Sequence, residues 1–164
     1  MTTRTVLVAV LLAVSLLTAC GSEQTPPGQT SAPSVVGAKA QPVDACGLLT
    51  DPEVTAVLGK HSRPRAGTAT DGGSCTWENP DTYHSITLNI GGRLTATGGK
   101  LPEPSDFEPT RPGPDGIRFG SGNMTEFAVG DRFCDIQVVT SVTDDSDRDA
   151  AVRMIGLVRQ RLAS

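Results

Sequence analysis

The sequence has no excess of positive charge. Lys and Arg number 14 against 18 Asp and Glu, a net charge of −4. That balance argues against a nucleic-acid partner, which asks for a basic patch. It has no C-x-x-C pair, so a thiol oxidoreductase is not indicated. No G-x-S-x-G, Walker loop or G-x-G-x-x-G occurs, so the local signatures of α/β hydrolases and nucleotide binders are missing. The two histidines, His61 and His84, lie in different segments with no Cys or carboxylate at ligand spacing. A zinc site or catalytic triad would have to be assembled in three dimensions. Aromatics amount to 4%, with one Trp and one Tyr, and only three basic residues are Lys (Lys39, Lys60, Lys100). No apolar run approaches the roughly 20 residues needed to span a bilayer. What is abundant is Gly (18) and Pro (12), which assigns much of the chain to turns and connections.

The apolar residues present are concentrated at the start. After Arg4, Val6 to Leu17 form a hydrophobic run broken only by Ser15, followed by Leu17-Thr18-Ala19-Cys20-Gly21. The run has the length of a secretory leader, and its end resembles the bacterial lipobox. That resemblance implies cleavage after Ala19, diacylglycerol in thioether linkage on Cys20, and a new amino terminus open to acylation. Residues 1–19 are thus expected to be a lipoprotein signal peptide. Residues 20–43 are expected to be the lipidated Cys20 and a Pro/Ser/Thr/Gly tether. Such a stretch buries too little to offset ordering entropy, and its coil span is about 25 Å. Losing Arg4 with the leader makes the mature chain one unit more acidic. More than one acyl chain suffices for stable anchoring. The expected location is the extracytoplasmic face of the cell membrane, where disulfides persist.

Residues 44–164 have single-domain length. Thr50-Asp51-Pro52-Glu53 is a capping box, with Leu49 and Val54 at staple positions and Gly59 as stop, so a short helix follows Thr50. His61 to Gly73 reads as loop. Strands are expected at 74–78, 83–90 (Ile86, Leu88 and Ile90 on one face), 117–119, 124–129 and 132–142. Gly91 to Pro114 reads as a long irregular connection, with room for a short helix near 104–108. Gly91-Gly92-Arg93 and Gly98-Gly99-Lys100 in it have an anion-approaching composition but read as flexible loop. A last helix begins after Ser146, with Ala151, Ile155, Val158 and Leu162 at helical spacing. The alternating acids from Asp144 to Asp149 lack the Gly and terminal Glu of a calcium loop and read as helix-start acidity. The expected fold is α+β: an antiparallel sheet of about four to five strands packed by an N-terminal and a C-terminal helix on one face.

Three short motifs occur in order: Asp44-Ala45-Cys46-Gly47-Leu48-Leu49-Thr50, Cys75-Thr76-Trp77 and Cys134-Asp135-Ile136-Gln137-Val138. With the lipobox before them and a helix after, the chain resembles an actinobacterial family of small secreted lipoproteins of unknown function. The resemblance implies an envelope lipoprotein with a cysteine-stapled α+β domain and no assigned catalytic residues. Members often carry a further Cys in the final helix; residues 147–162 have none. With Cys20 lipidated, Cys46, Cys75 and Cys134 allow three pairings. The strand positions of Cys75 and Cys134 favour a bridge between them, leaving Cys46 free or in an alternative pairing. Trp77, beside a strand Cys, is expected to pack over the disulfide.

The leading functional expectation is a non-catalytic interaction module of the envelope, with no cofactor or metal, binding a protein or other envelope component. The alternative is a carrier or sensor of an apolar or lipid ligand held between helices and sheet. A third reading is a hydrolase whose site, near His61 or His84, shows only in the fold.

Overall fold

The computed structural model describes residues 41–106, 109–141 and 146–163. Cys20, the expected leader and the tether through residue 40 lie outside them, as do residues 107–108 of the expected 104–108 helix and Asp144 and Asp145 of the acidic run.

The sheet is antiparallel throughout and has seven strands: β1 (Arg65–Thr68), β2 (Gly73–Glu78), β3 (Ser85–Ile90), β4 (Arg111–Pro112), β5 (Arg118–Phe119), β6 (Met124–Val129) and β7 (Arg132–Val139). Their spatial order is β1-β2-β3-β7-β6-β5-β4. The expected four to five strands packed by an N-terminal and a C-terminal helix is therefore corrected. Among the described residues the one long helix is the C-terminal α2 (Arg148–Leu162), and α1 (Asp51–Leu58) is a small two-turn element after a 3-10 turn at Cys46–Leu48. The two strands missed from the sequence, β1 and β4, are the sheet margins. All four residues of β1 are exposed, so no alternation marks it. The two-residue β4 contains Pro112, a residue confined to sheet edges.

In the central strands side chains alternate between a buried and a half-buried face. Cys75, Trp77, Ile86, Leu88, Ile90, Phe127, Cys134, Ile136 and Val138 are buried and form one core with Leu48, Leu49, Val54 and Leu58 from the N-terminal segment and Ala151, Met154, Ile155 and Val158 of α2. Burying each large aliphatic side chain contributes about 2 kcal/mol, which is what holds the helices on this face. The other face carries Thr76, Thr87, Asn89, Asp135 and Gln137, all half-buried.

The capping box forms, with the Thr50 N–H donating to Glu53 Oε2 at 2.8 Å. Glu53 also receives a bidentate contact from Arg161, 2.7 Å on each oxygen, and the same guanidinium donates to the Leu48 carbonyl at 2.7 Å. One side chain near the chain end thus fastens α2 to α1. Val43, expected to end the tether, already belongs to the folded part: its N–H donates to Gly72 O at 2.9 Å and its side chain packs on the core. No helix among the described residues is long and apolar enough to cross a membrane.

The disulfide joins Cys46 to Cys75, and Cys134 is a free, buried cysteine. The expected Cys75–Cys134 bridge is corrected by the strand order. β3 lies between β2 and β7, pairing Leu88 with Cys75 on one side and Ile90 with Cys134 on the other. Next-but-one strands stand about 10 Å apart, beyond the reach of a disulfide. The 3-10 turn lies over the buried face instead and brings Cys46 to Cys75.

Candidate functional site

The β2–β3 turn, residues 79–84, is built around Asn79. This side chain is buried. Its Nδ2 donates to Leu58 O at 2.8 Å, at the end of α1, and its Oδ1 accepts from the Asp81 and Thr82 N–H groups at 2.9 and 3.3 Å. The backbone closes the turn: Asn79 N–H donates to His84 O at 2.8 Å, and Tyr83 N–H to Asn79 O at 2.9 Å. Asn side chains stabilise turns in this way, and Pro80 presets its own φ.

The result of this rigid frame is the placement of Tyr83. Its φ is +60°, a left-handed conformation that disfavours side chains with a Cβ by about 1–2 kcal/mol. The residue is 87% exposed. It lines two shallow hollows, one of about 320 Å³ with Glu78, Asn79 and Pro80, and one of about 360 Å³ with His84, Val139 and Thr140. Arg65 grips Glu78 with two hydrogen bonds of 2.9 and 2.6 Å and holds its carboxyl below the usual range.

A third hollow, of about 240 Å³, lies on the half-buried sheet face, with Asp135 opposite Glu126 and Phe133 and Met124 among its walls. Burial pushes the Asp135 carboxyl up, against the 2.7 Å hydrogen bond donated by Asn89 Nδ2, while the charge of Glu126 adds to the rise. Glu126 is itself gripped by Arg118 at 2.5 Å. A shifted carboxyl in a hollow is a candidate site on general grounds. Here, however, each acid already has a partner in the fold. Tyr83 offers an exposed apolar surface in a strained backbone.

The residues singled out from sequence are scattered. His61 stands against Asp51 at 3.2 Å, at the start of α1, while His84 is in the Tyr83 turn. His84 lines the second Tyr83 hollow with Val139 and Thr140, and neither histidine lines the hollow of Asp135. Trp77 is buried in the core, on the same face as Cys75. Asp147 is buried and accepts from Thr140 N–H at 2.8 Å, which makes it part of the helix start. Among the described residues no group of three His, Cys, Asp or Glu gathers to hold a metal. In sequence Tyr83 reads as the first residue of the expected 83–90 strand, whereas β3 begins at Ser85. The one signal for it was a bulky residue following Asn-Pro-Asp-Thr, where a turn needs a left-handed position.

A family model described as "Protein of unknown function (DUF3558)" matches residues 15–141. The chain belongs to the DUF3558 family. The span matched by the DUF3558 model includes Cys46, Cys75, Cys134 and the Tyr83 turn and stops before α2. No curated protein and no solved structure matches this DUF3558 chain.

Proposed function

We propose that this DUF3558 protein is a non-catalytic binding module of the cell envelope, anchored through acyl chains on Cys20 to the extracytoplasmic face of the membrane. Its contact point for an envelope protein is the Tyr83 turn. One observation carries this reading: a tyrosine held rigidly in a strained backbone with its ring in solvent. Strain of this kind persists where the surroundings impose it and clusters at sites of function. Tyrosine is also among the residues that dominate protein interfaces, because it offers a large surface at little rotamer entropy.

The apolar-ligand alternative needs space between helices and sheet. Trp77, Phe127, Ile155 and Val158 fill that layer. An apolar hollow of about 200 Å³ lies instead between α1 and α2, walled by Val57, Met154 and Leu157.

The test is photo-cross-linking in intact cells with a photoreactive residue at Thr82. A discrete protein adduct is expected, retained in Tyr83→Phe and lost in Tyr83→Gly. Glycine relieves the φ strain but loosens the unfolded chain, so stability should stay within about 1 kcal/mol of the parent. An adduct indifferent to Tyr83→Gly, or no adduct at all, would overturn the reading. Replacing Cys20 by Ser should abolish incorporation of a fatty-acid probe and release the protein from the membrane fraction.

A further inference from the structure

Among the described residues a second large apolar residue is left in solvent, Leu94, 80% exposed. It too has a left-handed backbone, at φ +63°. It follows β3, whereas Tyr83 precedes it, so the two stand at opposite ends of the sheet. The loop that presents Leu94 is pinned on both sides. Arg93 N–H donates to Asp71 Oδ2 at 2.8 Å, and Thr95 Oγ1 donates to Gly92 O at 2.7 Å while accepting from Phe133 N–H at 2.8 Å. Ala96 N–H donates to Asp131 O at 2.8 Å. The sequence reading of this Gly-rich stretch as flexible loop is replaced by a fixed apolar tip.

The tip has basic neighbours. Arg93 and Lys100 are exposed. A hollow of about 360 Å³ beside the loop is lined by Arg93 and Arg132, with Val129 and Leu162 as apolar walls and Asp131 as its one acid. Arg132 is shared with Asp71, whose carboxylate it meets at 3.1 Å.

The chain also enters the domain at this end. Val43 bonds to Gly72, and Gly72 lies so close to β3 that a Cβ on it would come 2.3 Å from Ile90 O. The Arg132 guanidinium reaches Asp71 O and, at 2.8 Å, Gly91 O, joining the entry point to the Leu94 loop. The chain thus enters the domain beside the Leu94 loop, and Cys20, the anchor proposed above, lies 23 residues before Val43 in the sequence.

We propose that the Leu94 loop seats on an anionic phospholipid bilayer, with Leu94 entering the headgroup layer and Arg93, Lys100 and the adjoining hollow receiving lipid phosphates. Tyr83 then points away from the membrane. This proposal rests on the anchoring of Cys20.

Hydrogen exchange read by mass spectrometry on the full acylated protein tests it, in vesicles of phosphatidylcholine with phosphatidylglycerol and in phosphatidylcholine alone. Exchange over 91–100 should slow by about tenfold on the anionic vesicles, with no change over 79–85. The protection should shrink in Leu94→Asn, a residue that tolerates left-handed backbone, and in Arg93→Gln, which keeps the backbone bond to Asp71. Acylated, vesicle-bound protein whose 91–100 segment exchanges as fast as in solution would overturn the docking while leaving the anchor intact. So would protection at the Tyr83 turn instead. Absence of acyl mass on the Cys20 peptide would overturn both.

Discussion

Cys134 has a thiol sealed in the core, where burial pushes its pKa up to about 11. The thiolate is the reactive form, so this cysteine is inert in the folded protein. A thiol reagent should leave it unmodified in native protein and modify it fully in denaturant. Non-reducing peptide mapping should link the Cys46 peptide to the Cys75 peptide. The candidate residues could be read from sequence, since few cysteines remain once Cys20 is set aside, but their partners could not. Pairing depends on β3 lying between β2 and β7, a consequence of long-range strand order. Tyr83 and Leu94 were hidden for a different reason. Their importance lies in a positive φ, for which the apolar side chain itself gives no sign; only Tyr83 has a local one, in the Asn-Pro-Asp-Thr turn before it.

The two helices illustrate what local sequence can and cannot convey. The short helix after Thr50 was legible because a capping box is complete within four residues. Its fastening to α2 was not, because Glu53 and Arg161 stand 108 residues apart. Arg161 beside Glu53 is the main reason its carboxyl falls from 4.5 to about 2, despite the opposing effect of burial. The folded-state value lies below the unfolded one, so the stabilisation is fully present above pH 4.5 and fades as pH drops toward 2. Glu53→Gln should therefore lose about 1–2 kcal/mol at pH 7. Denaturant titrations should show the difference from the parent vanishing near pH 2. The strands divide similarly. Those with a buried face alternate and were readable, whereas β1 and β4 have no apolar rhythm to betray them.

On the scale of the whole domain, the six-residue strand β3 separates the Tyr83 turn from the Leu94 loop by about 20 Å. Sites that far apart contribute independently. Tyr83→Gly should leave vesicle protection of 91–100 unchanged, and Leu94→Asn should leave the Thr82 adduct unchanged. The double variant should show both losses, with stability changes that add within about 0.5 kcal/mol. The margins of the sheet bear on a separate matter, the behaviour of many copies side by side. Exposed strand edges template aggregation, and short, charged or proline-bearing edges resist it. Here one margin is a four-residue strand opening on Arg65, and the other is two residues long and ends in Pro112. Molecules confined to a surface meet one another far more often than molecules in bulk solution. If the anchoring proposed above holds, these blunted margins let such a population stay crowded without zipping into fibres.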